Sequence, residues 1–343
     1  MTKRILIVRL SAIGDCILSV PVLNSVRRNF PEAKVGWVIE EAASQLIRGH
    51  SSVDDLFVVS KQTFKSSRAL WEMAKKLRNW QPDTTLDLQG LTKSSLLAWL
   101  SGARNRLGFH RDKFDGRELS TFLNNRLYLP ESKHIIERSL EMLRLLGIND
   151  TRVAFDMPEM AADAEFADRM IDSCHISGRF AIINVGAGWV SKIWPSDRYA
   201  SIAKHLGEHW GTPSLVVWSG EQEKQAAEQV VANSNGHSMM APGTSLSQLA
   251  SLIRRAGLFV GSDTGPMHLS VAVGTPTVGL IGPMPIERVC PYGSRNAGVQ
   301  NIRLEKSSDR KTDCNPMLSI TVEQAVRSCD ELMNRSLLAR AAS

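Results

Sequence analysis

The sequence predicts an α/β protein of two doubly wound domains, each a parallel sheet covered by helices on both faces. Three observations carry this. Near-continuous apolar runs of strand length alternate with stretches of helical periodicity, the pattern of strands buried on both sides. That alternation passes along the chain twice. The length of 343 residues exceeds one ordinary core and suits two domains of about 150 residues each.

The elements follow in order. "RILIVRL" (4–10) is a first strand, and "SAIGD" turns it into the helical pattern "CILSVPVLNSVRRNF". "KVGWVIE" (34–40) and "DDLFVVS" (54–60) are strands, and "RALWEMAKKLRNW" (68–80) is a helix whose Trp71 and Trp80 are expected to pack inward. "TTLDLQG" (84–90) is a fourth strand opening into the helix "LTKSSLLAWLSG". A helical linker, "MAADAEFADRMIDSC" (160–174), precedes the second round. There "FAIINVG" (180–186) is a strand, and the next helix starts near Pro195 and Asp197 and stops at Gly211, as helix boundary chemistry requires. "SLVVWSG" (214–220), helices at 222–234 and 245–257, "LFVGS" and "TPTVGLIGP" (275–283) complete the sheet. An amphipathic stretch, "TVEQAVRSCDELMNRSL" (321–337), is expected to return to the first domain. The predicted boundaries are 1–160, a linker at 161–178, 179–318, and a terminal helix in 319–343.

Composition narrows the class. A hydrophobic share of 43% with 22% charged residues is that of a soluble globular enzyme. The apolar runs fall well short of the ~20 residues that span a bilayer. The basic start "MTKRILIVRLSAIGD" lacks a small-residue cleavage site, and Arg9 interrupts it, so a first strand is expected there and not a signal peptide. Five cysteines, Cys16, Cys174, Cys290, Cys314 and Cys329, form no C-x-x-C pair, which suits reduced thiols in a cytoplasm. Residues 1–150 hold 23 lysines and arginines against 16 acids, whereas the remainder holds 18 against 19. A basic first half points to an anionic partner there: nucleic acid, a phosphorylated lipid or an acidic sugar, with plain solubility charge as the alternative.

Ligands of doubly wound sheets bind outside the carboxyl ends of the strands, and three strand-end loops carry suitable chemistry. Ser11-Ala12-Ile13-Gly14-Asp15 follows the first strand: Gly14 permits close backbone approach, and Asp15 is either an ordinary helix cap or a functional acid. It is not G-x-G-x-x-G, so the nicotinamide fingerprint is absent. In "GAGWVSKIWP" (186–195), Gly186, Gly188, Ser191 and Lys192 are phosphate-handling residue types without a Walker spacing; the alternative is a surface loop with a solvated lysine. In "GSDTGPMHLS" (261–270), Asp263, Thr264 and Gly265 open a helix carrying His268, where free amides and half a positive charge await an anion, or where Asp263 merely caps. A single Asp-Thr-Gly on a helix start cannot make the paired aspartates of an aspartic protease. His205 and His209, four apart, lack a third ligand nearby and are expected at the surface, not on a metal.

Taken together, "ILIVRLSAIGD", "LDLQGLTKS", "SKIWP" and "SDTGPMHLSVAVGTPTVGLIGP" resemble the ADP-heptose:lipopolysaccharide heptosyltransferases, glycosyltransferase family 9. The resemblance runs collinearly to about residue 290, and "WVIEE", "QGLTKS" and "HIIERSLEML" are most similar to the type that adds the first heptose. It implies a GT-B architecture, acceptor domain first and nucleotide-sugar domain second, with the active site in the cleft. It implies inverting transfer without a metal cofactor, ADP-heptose as donor, and the Kdo of lipid A as acceptor. It also implies a cytoplasmic enzyme peripheral to the inner membrane, with no nucleic-acid partner. By the same resemblance Asp15 is the general base, and Lys192 meets the donor phosphates or heptose. Ser11, Gly14, Gly186, Gly188, Asp263, Thr264, Gly265 and His268 surround the donor. Glu223, or its neighbour Glu221, holds the adenosine ribose, and Thr244 lies where backbone meets adenine. Lys93, Arg111, His134 and Arg138 contact the anionic acceptor. The alternatives are another GT-B enzyme, such as a UDP-sugar transferase or a non-hydrolysing epimerase, and a catalytically silent nucleotide-binding homologue.

Overall fold

A computed structural model of the chain describes residues 3–60, 62–112, 115–302 and 315–341. Two compact units divide it, Met1–Pro158 and Glu159–Ser343. Each is built on one six-stranded sheet in which every strand pair is parallel.

The first unit alternates β1 (Arg4–Val8), α1 (Ile13–Asn29), β2 (Lys34–Glu40), α2 (Glu41–Ile47), β3 (Asp55–Val59), α3 (Ser67–Trp80), β4 (Thr84–Asp87), α4 (Thr92–Leu100), β5 (Asn105–Phe109), α5 (Ser120–Leu123), β6 (Arg126–Tyr128) and α6 (Ile135–Glu141). The strand order is β3-β2-β1-β4-β5-β6. The two-residue period of β1 sends Leu6 and Val8 to one face, where they pack with Met73 and Leu77 of α3 and Leu97 and Ala98 of α4. On the other face lies α1, packed on α2 and α6. It is buried nearly all round from Cys16 to Val26, which is why its sequence shows little amphipathicity.

The second unit begins with α7 (Ala161–Ser173), then runs β7 (Ala181–Asn184), α8 (Ser196–Trp210), β8 (Ser214–Val217), α9 (Gly220–Asn233), β9 (Ser238–Met240), α10 (Leu246–Arg255), β10 (Leu258–Ser262), α11 (Gly265–Ala272), β11 (Thr277–Leu280), α12 (Ile286–Val289), β12 (Ala297–Val299) and α13 (Val322–Ala341). Its strand order is β12-β11-β10-β7-β8-β9. Gly211 takes a left-handed φ of 58° to end α8, as expected from the sequence.

The structure departs from the sequence reading in several places. The residues read as a helical linker form α7, which packs on α10; Arg255 of α10 bonds Asp168 at 2.5 Å, so this helix belongs to the second unit. α13 was expected to return to the first domain. Instead Ala325, Cys329, Leu332 and Met333 are buried in the core of the second unit with Trp194 and Leu206. Four strands, β5, β6, β9 and β12, escaped the apolar-run criterion because they are short, mixed in composition or at sheet edges. Trp80 packs as expected, edge-on to Phe57 at 5.8 Å with its indole N–H on Asp55, but Trp71 is 63% exposed. His205 bonds Asp330 at 2.8 Å and stacks on His209, and among the described residues no cluster of three His, Cys, Asp or Glu could hold a metal. Cys16, Cys174 and Cys329 are free thiols; Cys314 lies outside the described residues.

Candidate active site

Both strand orders contain a switch point, where the chain has wound outward in one direction and returns to wind in the other. It lies between β1 and β4 in the first unit and between β7 and β10 in the second. Loops leaving two such neighbouring strands diverge to opposite faces and open a crevice between them. Asp15 and Lys93 follow the switch-point strands of the first unit and Lys192, Asp263 and His268 those of the second, whereas Arg111, His134, Arg138, Glu223 and Thr244 lie on other elements.

In the first unit, β1 runs into Arg9-Leu10-Ser11-Ala12 and then the first turn of α1, where Gly14 is buried and Asp15 stands third in the helix. Asp15 is not simply a cap. Its Oδ2 takes the Arg9 guanidinium at 2.9 Å and a longer bond from the Ala12 amide at 3.3 Å. Both contacts use Oδ2, and the side chain is 37% exposed. Arg9 is itself buried and also donates to the Leu88 carbonyl beyond β4, which locks the two loops of the crevice together. A second clasp is the Leu10 amide on Gln89 Oε1 at 2.8 Å.

The loop after β4 is held from below by Asp87. It is fully buried, accepts from the Gln89 and Gly90 amides at 3.2 and 3.0 Å, and receives the Asn124 side-chain amide at 2.9 Å. Burial pushes its carboxyl above the ordinary range, against those hydrogen bonds. Gly90 (φ +65°) and Gly116 (φ +60°) pass so closely that a Cβ on Gly90 would meet the Gly116 nitrogen at 2.9 Å. Hydrogen bonds from the Arg117 amide to the Gly90 carbonyl and from the Thr92 amide to Glu118 bring the two loops together. Lys93, exposed on the first turn of α4, and Arg111, exposed and donating to the Glu118 carbonyl, therefore lie on adjoining segments. Arg138 differs from the expected acceptor contact. It is buried and donates to Asp112, to Asp115 at 2.9 Å and to the Ser132 carbonyl at 3.0 Å, so its charge is engaged by Asp112 and Asp115. His134 is buried at the start of α6, where Nδ1 accepts from the Ile136 amide.

In the second unit the crevice is framed by the loop after β7 and the start of α11 after β10. Asp263, 4% exposed, sits between two cationic or donor groups: Lys192 Nζ at 2.6 Å from Oδ2 and His268 Nε2 at 3.1 Å from Oδ1. Burial alone would raise its pKa. The His268 hydrogen bond and the Lys192 charge outweigh that and leave it lowered to about 2. Lys192 also donates to the Asp263 carbonyl at 2.9 Å, so two of its three N–H groups are spent on fixing it and one remains to meet an anion. Thr264 precedes α11 without capping it through its side chain; its hydroxyl donates to the Ser262 carbonyl. The first amides of α11, from Gly265 onward, are left for a ligand. Asn184, the last residue of β7, donates to the Gly186 carbonyl at 3.0 Å and reaches Thr264 Oγ1 at 3.5 Å, bridging the two loops.

Glu223 and its neighbour Glu221 differ in their surroundings. The Glu223 carboxylate accepts from the Ser219 amide at 2.7 Å and lies where a Cβ on Gly186 would stand, 2.1 Å from Oε2, whereas Glu221 is exposed. Half-burial raises its pKa against the Ser219 bond. Gly188 is exposed with open space around it, and Thr244 is half-buried just before Ser245, the residue that caps α10. Sequence reasoning missed Arg9, Asp87 and Asn184. The available signal was a polar residue ending or interrupting an apolar strand.

The family model for glycosyltransferase family 9 (heptosyltransferase) matches residues 70–318. The chain is 25% identical over 294 residues to the lipopolysaccharide core heptosyltransferase OpsX of Haemophilus influenzae, covering 85% of this chain and 82% of that protein. It is 24% identical over 301 residues to lipopolysaccharide heptosyltransferase 1 of Escherichia coli K12, covering 84% and 91%. Among solved structures it superposes on a glycosyl transferase family 9 protein from Veillonella parvula with a TM-score of 0.87, 24% identity and coverage of 97% and 98%. On the E. coli heptosyltransferase WaaC with ADP-2-deoxy-2-fluoro heptose the TM-score is 0.75, at 22% identity and coverage of 96% and 99%.

Proposed function

Because the chain belongs to glycosyltransferase family 9, we propose that it transfers L-glycero-D-manno-heptose from ADP-heptose to the Kdo of lipid A in lipopolysaccharide inner-core synthesis. That it is a glycosyltransferase follows from the family; the donor, acceptor and chemistry are our reading. The observation that carries it is the Lys192–Asp263–His268 cluster at the switch point of the second sheet. A buried aspartate holds a lysine there with one N–H to spare beside the open amides of α11. These are the groups a diphosphate leaving group requires, and they supply positive charge where negative charge develops. Glu223, against Gly186, accepts the ribose hydroxyls, and the backbone around Thr244 meets the adenine.

In the proposed reaction the acceptor hydroxyl oxygen bonds to the anomeric carbon as the bond to the ADP oxygen breaks, inverting that carbon. The hydroxyl proton passes to Oδ1 of Asp15, and ADP departs with the bonding pair. A sugar hydroxyl is a weak nucleophile, so the base must act as the bond forms. Arg9 holds Asp15 in place through Oδ2. Lys93 and Arg111 meet the carboxylate and phosphates of the acceptor, while Arg138 positions their loop. Metal-independent transfer is part of the proposal and rests on Lys192 and the α11 amides taking the role of a cation. So is a cytoplasmic location beside the inner membrane, where such an acceptor is made.

The test is a transfer assay with ADP-heptose and Kdo-lipid A read by product mass. Asp15→Asn is expected to bind ADP as the parent does while turnover falls by about two orders of magnitude or more. Near-normal turnover in that variant removes Asp15 from its role, and no product from the parent protein refutes the donor–acceptor pair.

A further inference from the structure

The two helical layers of the first unit differ in their outer surfaces. One layer is α3, α4 and α5, in which α3 packs on α4 and α4 on α5; the other is α1, α2 and α6. In the first layer the cations Arg68, Lys75, Lys76, Arg78 and Lys93 face a single acid, Glu72. In the second, three arginines face four acids. Exposed large apolar side chains show the same bias: among the described residues of this unit all but Leu129, which follows β6, lie with the first layer. Trp71 is 63% exposed, Trp99 50%, Leu119 55% and Phe122 80%, and all four lie on or beside α3, α4 and α5. Among the described residues of α1, α2 and α6 no large apolar side chain is exposed.

These side chains lie on adjoining elements. Arg78 of α3 donates to the Leu100 carbonyl at the end of α4, which sets the two helices parallel with position 78 level with position 100. Trp71, two turns before Arg78, is then level with the first turn of α4. The Glu118–Phe122 segment is fastened to that same turn by the Thr92 amide on Glu118 and the Leu119 amide on Thr92 Oγ1. Trp99 lies two turns further along the stripe of Thr92 and Leu96. Lys75 carries its ammonium 5.5 Å from the Trp71 ring.

We infer that this face is the surface on which the protein rests against an anionic phospholipid bilayer. Tryptophan and phenylalanine seat at the level of lipid headgroups, since their rings are apolar while the indole N–H still needs a polar partner. Lysine and arginine stems lie along the apolar surface with their charges toward phosphate. Basic residues beside exposed aromatics on one layer, opposite a layer whose arginines are outnumbered by acids and whose helices expose no aromatic, fit a planar negatively charged surface. No helix among the described residues is long and apolar enough to cross a membrane. Lys93 lies on the same layer, which brings the segment assigned to the acceptor close to the lipid; this link alone rests on the proposed function.

Co-sedimentation with phosphatidylglycerol-containing and pure phosphatidylcholine vesicles tests it, using the full chain. The parent is expected to bind the anionic vesicles at least about tenfold more tightly than the neutral ones, and binding weakens as salt rises. Trp71→Ala/Trp99→Ala/Phe122→Ala and Lys75→Glu/Lys76→Glu are each expected to lose at least about tenfold in binding, with thermal melting and ADP affinity unchanged. Parent protein that fails to sediment with anionic vesicles, or variants that bind as the parent does, overturn the inference. If binding follows this pattern while ADP-heptose yields no product, the surface stands and the heptose-transfer reading falls.

Discussion

Asp263 shows how one buried carboxylate organises a binding crevice. It is buried, and its charge is tolerated because Lys192 and His268 hold both oxygens. Its folded pKa, about 2, lies below the ordinary aspartate value of about 3.9. The stability it contributes is therefore complete above about pH 4 and lost as pH falls through the folded value near 2. Asp263→Asn is expected to cost on the order of 3 kcal/mol at neutral pH, because the half-buried Lys192 is left without its counter-charge. Denaturant melts of parent and variant are expected to converge between about pH 4 and pH 2; a gap that stays constant across that range would exclude the ion pair as the source of stability. Lys192, Asp263 and His268 were all legible in the sequence, because each stands in a strand-end loop of unusual composition. That they form one cluster was not, since 71 residues separate Lys192 from Asp263.

At the scale of elements, α13 shows what periodicity can and cannot say. Its sequence announces an apolar face but not the surface that receives it. In the structure Ala325, Cys329, Leu332 and Met333 complete the core beside Trp194, and the Trp194 indole donates to the Ile320 carbonyl just ahead of the helix. Leu332→Ala removes a side chain that is 2% exposed, and a loss of about 2–5 kcal/mol in the second unit is expected. It is measured as a fall in the denaturation midpoint accompanied by weaker ADP binding near the midpoint. A loss below about 0.5 kcal/mol would mean the helix end is not part of that core. The short edge strands β6, β9 and β12 escaped detection for the complementary reason. Three residues cannot show a period, and their pairing is decided by the neighbouring strand.

For the whole molecule, each unit carries its polar groups at the switch point of its own sheet, the Asp15 loop in the first and the Asp263 loop in the second. A nucleotide that binds only the second unit stabilises it by mass action, about 2.7 kcal/mol at a hundredfold excess over the dissociation constant. Calorimetry of the full chain with ADP, UDP and GDP at equal concentration is expected to show ADP raising the melting temperature by several degrees and the other two less. An equal shift with UDP would replace the ADP-sugar reading by another nucleotide sugar. The sequence by itself determined the α/β class, the double winding and the strand-end loops that carry chemistry, because periodicity, glycine placement and helix boundaries are properties of neighbouring residues. Only the tertiary structure decided that Arg9 aims Asp15, that Asn184 bridges two loops, that Arg138 is consumed by Asp112 and Asp115, and that Trp71 faces outward. Each of these depends on which strands lie side by side or which face a helix presents, and strand order is set by the burial of the whole sheet and not by any local stretch of chain.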